Sequence, residues 1–82
     1  MKLPRDLDGN RLAALLRAYG YQITRQTGSH LRLTSALKGR EHHVTLLAHK
    51  ELSVGTLHSI LREVAKYLEM GHSVLLDDLF RR

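Results

Sequence analysis

The amino-acid sequence predicts a single α+β domain, in which two helices cover one face of a three-stranded antiparallel sheet. Two segments, residues 9–19 and the residues from 53 onward, repeat apolar side chains at the spacing of a helix that buries one face. Three shorter segments between them alternate apolar and polar residues, which is typical of half-buried strands. With 82 residues, the chain can form one hydrophobic core, so we treat residues 1–82 as one domain.

The first helix has recognisable signals at both of its ends. Asp8 is a residue type that caps helix N-termini, and Leu7 and Leu12 stand at the positions of a hydrophobic staple. Gly20 can adopt the left-handed conformation that ends a helix. The buried stripe of this helix is expected to consist of Leu12, Leu15, Leu16 and Tyr19.

The three strands are expected at residues 21–26, 30–35 and 43–49, with Gly28 in the first turn and Gly39 in the second. Alternation places Tyr21 and Ile23 on the face that packs on the helices. The opposite face is expected to be open to water. It would display Gln22, Thr24, Gln26, His30, Arg32, Thr34, His43 and Thr45.

The second helix is predicted from its apolar positions 57, 60, 61, 64, 65 and 68, and it begins near Ser53 or Thr56. After Gly71, the apolar residues of the tail predict either a short third helix or a patch that docks on another chain. In the helical alternative, the contacts would run through Val74, Leu75 and Leu79. The order helix, three strands, helix is the plan of a double-stranded RNA-binding domain.

The composition favours a polyanionic partner and disfavours several other classes. Residues 1–50 carry nine Lys and Arg against three Asp and Glu, whereas residues 51–82 carry four against five. A basic surface that serves only solubility is the alternative. The chain has no cysteine, no apolar run long enough to span a membrane and no signal peptide, so we expect a cytoplasmic protein that does not enter a membrane.

Six histidines require that a metal site be considered. His42 and His43 are adjacent and are expected on opposite faces of the sheet, and the sequence has no helical HExxH pair. His58 and His72 are expected to be solvated, on a helix edge and at a helix C-terminus. Ser29 precedes His30 directly and points to the other side of the strand, which argues against a nucleophilic triad. We therefore expect neither a metal nor another cofactor.

His30 is the histidine with the most suggestive surroundings. On the residues alone, it either performs acid–base chemistry on a bound substrate or is a solvated strand residue. Arg25, Arg32 and Lys50 are each candidates for phosphate contact, with solubility or protein contact as the alternative. Lys38 and Arg40 add positive charge in the second turn. His43 is either a general acid on the same face or a solvated residue.

Four stretches of the chain together resemble the HicA-type mRNA interferase toxins of bacterial toxin–antitoxin pairs. They are LPR at residues 3–5, GY before the first strand, RQTGSH leading into the second strand, and AHKELSVGTLHSIL leading into the second helix. The resemblance covers about residues 2–65, and residues 66–82 form a divergent helical tail. Family members commonly carry a proline just before the histidine that aligns with His49, whereas this chain has Leu47-Ala48.

The resemblance implies a fold like that of double-stranded RNA-binding domains and metal-independent endoribonuclease activity toward mRNA. It implies that His30, the histidine of the GSH stretch, is the catalytic residue and acts as a general base. The expected partners are mRNA and a HicB-type antitoxin, and the tail leaves a homodimer open. Two alternatives are a non-catalytic RNA-binding module and a protein-interaction domain. The expected substrate contacts are Arg25, Ser29, Arg32, His43 and Lys50.

Overall fold

A computed structural model describes residues 6–80 of the chain. The LPR stretch at residues 3–5 lies outside this range. The observed order of elements is helix, three antiparallel strands and two helices, as the sequence predicts. The strands lie in the order β1-β2-β3. The elements are α1 (Gly9–Leu16), β1 (Gln22–Thr27), β2 (His30–Ser35), β3 (His42–Leu47), α2 (Val54–Leu68) and α3 (His72–Phe80).

The predicted signals at both ends of α1 are confirmed. The side chain of Asp8 accepts a hydrogen bond from the backbone N–H of Arg11 at 2.9 Å, which satisfies a donor that the helix leaves free. The last predicted turn, Arg17–Tyr19, is a tighter 3-10 turn. Gly20 then adopts a left-handed φ of 83° and turns the chain toward the sheet.

The central strand β2 has the predicted bounds and the predicted alternation. Leu31, Leu33 and Ser35 are buried on the helix side, and His30 and Arg32 are exposed on the other side. The buried hydroxyl of Ser35 donates to the carbonyl of Tyr19 at 2.9 Å, so its polar group is satisfied. The sheet therefore has one face in the core and one face open to solvent.

The third strand differs from the prediction of 43–49 at both ends, since it runs from His42 to Leu47. Its N-terminal extension arises because His42 still pairs with Ser35. Its early end arises because Ala48 forms other bonds. The N–H of Ala48 donates to the carbonyl of Ser29 at 2.7 Å, and its carbonyl accepts from the N–H of Asn10 at 3.0 Å.

The first strand contains a β-bulge that alternation alone did not predict. Ile23 pairs with Leu33, but Arg25 already pairs with Arg32, so Thr24 is an extra residue on β1. The strand runs one residue later than predicted, from Gln22 to Thr27, and Tyr21 is buried just before it.

The position and the bulge of β1 change the outcome for two of its residues. Ile23 shares the helix-side face as predicted, since it pairs with Leu33, but it is 51% exposed, because β1 is an edge strand and the helices leave this part of the edge open. Gln26 pairs with Leu31 and thus shares the helix-side face instead of the open face, since an extra residue reverses the alternation that follows it.

The second helix confirms its predicted face. Ser53 caps it, and its hydroxyl oxygen accepts from the N–H of Thr56 at 3.2 Å. The predicted apolar positions 57, 61, 64, 65 and 68 are buried, and Ile60 is partly buried against the same core. The helix ends at Glu69, which adopts a left-handed φ of 60° without being a glycine.

The tail forms the third helix, α3, and this helix packs on α2 of its own chain. Leu75 and Leu79 are buried as predicted, whereas Val74 is 57% exposed, so its predicted contact is wrong. The hydroxyl of Tyr19 donates to the carboxylate of Asp78, which joins the end of the α1 region to α3. Within residues 6–80, no helix is both long and apolar enough to cross a membrane.

Gly9 lies where the start of α1 meets the end of β3. A Cβ atom at this position would lie 2.2 Å from the carbonyl oxygen of Leu47, which is far inside van der Waals contact. Two further backbone bonds hold the junction, from Asn10 N–H to Ala48 and from Leu52 N–H to Leu7 at 2.8 Å. The absence of a side chain at residue 9 thus allows α1 to approach the sheet this closely.

Gly9→Ala is expected to lower the free energy of unfolding by about 1–3 kcal/mol, because the clash is with backbone that cannot rotate away. Gly55→Ala is the matched control: it also lies in a helix, and its new Cβ would meet nothing within 4 Å. That change is expected to raise stability by about 0.5–1 kcal/mol. Urea denaturation of both variants measures the difference, and equal stabilities would contradict the close approach.

Candidate functional site

His30 is the first residue of β2 and lies exposed on the open face of the sheet. The turn before it is built by Gly28, whose φ of 60° suits a residue without a side chain. The strand pairing places Thr27 on one side of His30 and Leu47 on the other. The imidazole is therefore carried by backbone that is held from both neighbouring strands, while the ring itself faces solvent.

Ser29 contributes to this end of the sheet through its backbone. Its carbonyl accepts the N–H of Ala48 at 2.7 Å, which fixes the residue directly before His30. A proline at residue 48 has no N–H and cannot form this bond. The N–H of Ala48 thus supplies a hydrogen bond beside the candidate catalytic residue.

The bulge in β1 brings two guanidinium groups to the open face. Because Thr24 is the extra residue, Arg25 lies directly opposite Arg32 and points to the same side of the sheet. Arg32 is two residues from His30, or about 7 Å along the strand. A shallow depression on this face is lined by Thr24, Arg25, Arg32, Thr34, Glu41 and His43.

His43 lies farther from His30 than a shared proton-transfer role requires. It pairs with Thr34, four residues along β2 from His30, so the two positions are separated by about 13 Å. Its Nδ1 lies 2.8 Å from the hydroxyl of Thr34, and its Nε2 lies 3.6 Å from the carboxylate of Glu41. This geometry favours contact with a distant part of a bound chain over direct action beside His30.

Lys50 lies beyond the end of β3, at a different part of the surface from the two arginines. It lines a pocket with Leu47 and Ser53, where β3 meets the start of α2. Since Leu47 is also the strand partner of His30, Lys50 lies at the same end of the sheet as the candidate base. The structure thus separates the predicted contacts into a His30 end and a depression around Arg25 and Arg32.

Two residues near these groups were missed by sequence reasoning. Glu41 places a carboxylate in the otherwise basic depression, and its position follows from the second turn, which local sequence does not determine. Asn10 approaches His49 with 3.4 Å between its Nδ2 and the imidazole Nδ1. The two residues are 39 positions apart in the sequence, so no local pattern indicated this contact.

Comparison with protein families matches residues 9–65 to the HicA toxin of bacterial toxin–antitoxin systems. The chain belongs to the HicA toxin family. The HicA match includes His30, both arginines and Lys50, and it ends before the last residues of α2. Comparisons with curated proteins and with solved structures gave no match.

Membership in the HicA family gives the chain the role of a toxin and implies an antitoxin partner. It also gives a reference for the residues outside the match. Tyr67, Glu69 and all of α3 lie beyond residue 65, outside the matched residues.

His42 lies on the helix side of the sheet in this HicA chain, opposite to His43 as predicted. Its Nδ1 lies 2.6 Å from the hydroxyl of Tyr21, and its ring stacks on Tyr67 at 5.0 Å between centroids. Burial lowers the pKa of His42 below its usual value, and burial also raises the pKa of Tyr21. Burial thus disfavours the charged form of His42, which packs as a structural residue.

His58 and His72 were expected to be solvated, and this prediction is wrong. Both are half-buried and form an edge-to-face pair at 5.2 Å between α2 and the start of α3. One buried nitrogen of each ring, Nδ1 of His58 and Nε2 of His72, has no hydrogen-bond partner. Burial, with Arg62 and His58 nearby, lowers the pKa of His72. Across residues 6–80, no group of three or more His, Cys, Asp or Glu could hold a metal ion.

The free energy of unfolding is expected to fall as the pH drops below about 6.5, the pKa of histidine in an unfolded chain. Because the folded pKa of His42 is lowered, its contribution is complete above that pH and is lost as pH falls through the folded value. His42→Gln keeps an acceptor for Tyr21 and is expected to flatten the profile. His49→Gln, at an exposed histidine, is the control for the same change of residue type outside the core. Urea denaturation from pH 7.5 to 5 tests this, and identical profiles for the two variants would contradict it.

Proposed function

We propose that this HicA-family toxin is a metal-independent endoribonuclease that cleaves mRNA with His30 as the general base. The observation that carries the proposal is that an exposed imidazole and a pair of guanidinium groups share the open face of the sheet, two residues apart along β2. An RNA backbone offers phosphates to the arginines and a ribose hydroxyl to the histidine. The resemblance to HicA toxins assigns catalysis to the same histidine.

The proposed reaction is a transesterification within the RNA chain. Neutral His30 removes the proton of a ribose 2′-hydroxyl, and the oxygen attacks the adjacent phosphorus. The bond from phosphorus to the 5′-oxygen breaks, and a proton from an acid or from water neutralises that leaving oxygen. The products are a 2′,3′-cyclic phosphate and a free 5′-hydroxyl. DNA lacks the 2′-hydroxyl and is expected to remain intact.

Positive charge must accompany the base, since a positioned general base contributes about 10² to 10⁴ in rate. Arg32 is two residues from His30 on the same face, and Arg25 lies opposite Arg32. A well-aimed donor to the developing negative charge lowers a barrier by about 3 kcal/mol. We assign this role to Arg32 and a phosphate-binding role to Arg25, with Lys50 at the His30 end of the sheet.

Substrate binding is expected to proceed through phosphates and riboses. The three tyrosines and the one phenylalanine belong to the core or pack against it, so they are not available on the open face for base stacking. The open face also presents polar side chains, among them Thr24, Thr34 and His43, which can bond to backbone oxygens. Binding of this kind depends strongly on salt and weakly on sequence.

The antitoxin that we propose is a HicB-type protein that covers the open face and so blocks access to His30. A homodimer through the tail has less support, because α3 buries Leu75 and Leu79 against its own chain. Of the three tail residues that were expected to form apolar contacts, Val74 is the one left exposed.

His30→Ala is expected to reduce RNA cleavage by about 10² to 10⁴, the contribution of a positioned general base. The purified chain, free of antitoxin, is incubated in EDTA with a structured RNA and with a DNA of matched sequence. The wild type is expected to cut the RNA and leave the DNA intact, and end-group analysis is expected to find cyclic phosphates.

His43→Ala is the matched control, since it removes a histidine from the same face at about 13 Å from His30. It is expected to raise KM and to change kcat much less than His30→Ala does. RNA that is bound by the wild type but never cut would replace the nuclease with a non-catalytic binding module. Equal cutting by the wild type and His30→Ala would show that another residue, or a contaminant, performs the reaction.

A further inference from the structure

Tyr67, near the end of α2, has a hydroxyl that fastens the turn between β2 and β3. The residue lies outside the HicA match and is only 3% exposed. Its hydroxyl accepts the backbone N–H of Lys38 at 3.0 Å. The same hydroxyl lies 2.5 Å from the carbonyl oxygen of Arg40 and 3.2 Å from that of Ser35. It therefore donates its hydrogen bond mainly to the carbonyl of Arg40.

The ring of Tyr67 also supports the side chain of Arg40. The guanidinium carbon of Arg40 lies 5.3 Å from the ring centroid, within the range of a cation–π interaction. Arg40 is exposed, and within residues 6–80 it forms no ion pair with a carboxylate. A guanidinium that rests on a ring keeps its N–H groups available for a second partner. One buried residue thus positions both the backbone and the charge of Arg40.

The rest of the turn also depends on the end of α2. Within residues 36–41, one backbone bond, from Gly39 N–H to Ala36 at 3.0 Å, closes the turn, and Gly39 has a φ of 83°. Lys38 reaches Glu69 at 3.7 Å. The N–H of Leu37 also donates to the hydroxyl of Ser35 at 3.2 Å. Because Tyr67 and Glu69 both follow residue 65, two of the contacts that hold this turn come from outside the matched residues.

We infer that Arg40 is a second phosphate-contacting site, distant from His30 and held ready by Tyr67. This inference rests on the proposed action on RNA. His30 and Ser35 lie at opposite ends of β2, about 17 Å apart, and the turn begins beyond Ser35. Arg40 lies in the turn beyond Ser35 and rests on Tyr67 of α2, which covers the helix side of the sheet. The phosphate that it contacts is therefore several positions from the bond that is cut, where the RNA passes the end of the open face. A short RNA that fills the His30 end cannot reach it, whereas a longer one can.

The experiment measures RNA binding in the non-cleaving His30→Ala protein, so that it does not depend on turnover. Arg40→Ala is expected to weaken binding of a 15-nucleotide RNA on the order of tenfold, as for the loss of a charge-assisted contact. It is also expected to reduce the slope of log affinity against log salt by about 0.7, the value for one phosphate on a single strand. Binding of a trinucleotide is expected to be unchanged.

Tyr67→Phe separates positioning from a merely structural role, because it keeps the ring and removes the hydroxyl. It is expected to weaken binding of the long RNA less than Arg40→Ala does, while binding of the trinucleotide stays the same. Two controls are Arg62→Ala, which removes an exposed arginine of α2, and Tyr19→Phe, which removes the hydroxyl that bonds Asp78. Both controls are expected to bind RNAs of either length as the parent does. Thermal unfolding confirms that each variant is folded at the assay temperature.

Equal losses for the long and short RNAs, or an unchanged salt slope in Arg40→Ala, would overturn the inference. Normal RNA binding by Arg40→Ala together with weaker binding of the antitoxin would assign Arg40 to the protein partner and would also overturn it. If the His30→Ala protein with Arg40 intact binds neither RNA, the proposed function itself fails. In every result that overturns the inference about Arg40, the His30→Ala protein with Arg40 intact still binds RNA. Failure of the inference can therefore be distinguished from failure of the proposed function.

Discussion

The alternation of the central strand β2 is the constraint on which the other features depend. Leu31 and Leu33 are buried in the core, and the same alternation places His30 and Arg32 on the open face. A slip of one residue would bury the imidazole and expose the leucines, so the core opposes any other register. Hydrophobic burial thus orients the candidate base without any contact to its ring. The register of β2 thus determines both which side chains form the core and which side chains lie on the open face.

The bulge in β1 changes the pairing of β1 with β2 beside the two arginines of the open face. Without the extra residue Thr24, Arg25 would point to the helix side, whereas with it Arg25 lies opposite Arg32. Like charges directly opposite each other on neighbouring strands are destabilising. Glu41 lines the same depression and offsets part of this repulsion. A bound phosphate would reduce the repulsion that remains between the two arginines. Local destabilisation of this kind is expected at a functional site.

Local sequence was sufficient for the elements whose signals lie within a few residues. The cap Asp8 and the spacing of apolar residues predicted both main helices, the second one beginning near Ser53 or Thr56, and alternation predicted β2 in full. Sequence reasoning missed what depends on pairing and on tertiary contact. The bulge reversed the face of Gln26, and the packing of α3 on α2 enclosed His72. Likewise, nothing in the sequence around Tyr67 indicates that its hydroxyl bonds a turn 27 to 32 residues earlier.

RNA that binds on the open face of the sheet, where β2 presents His30 and Arg32, would change the environment of the β2 amides. NMR mapping of backbone amides in the His30→Ala protein, during titration with a non-specific RNA, detects such a change directly. We expect the largest shifts at Arg25, Arg32 and Thr34, with little change on the outer surface of α2. Shifts that are confined to the helices, with the amides of β2 unaffected, would show that RNA does not bind on the open face.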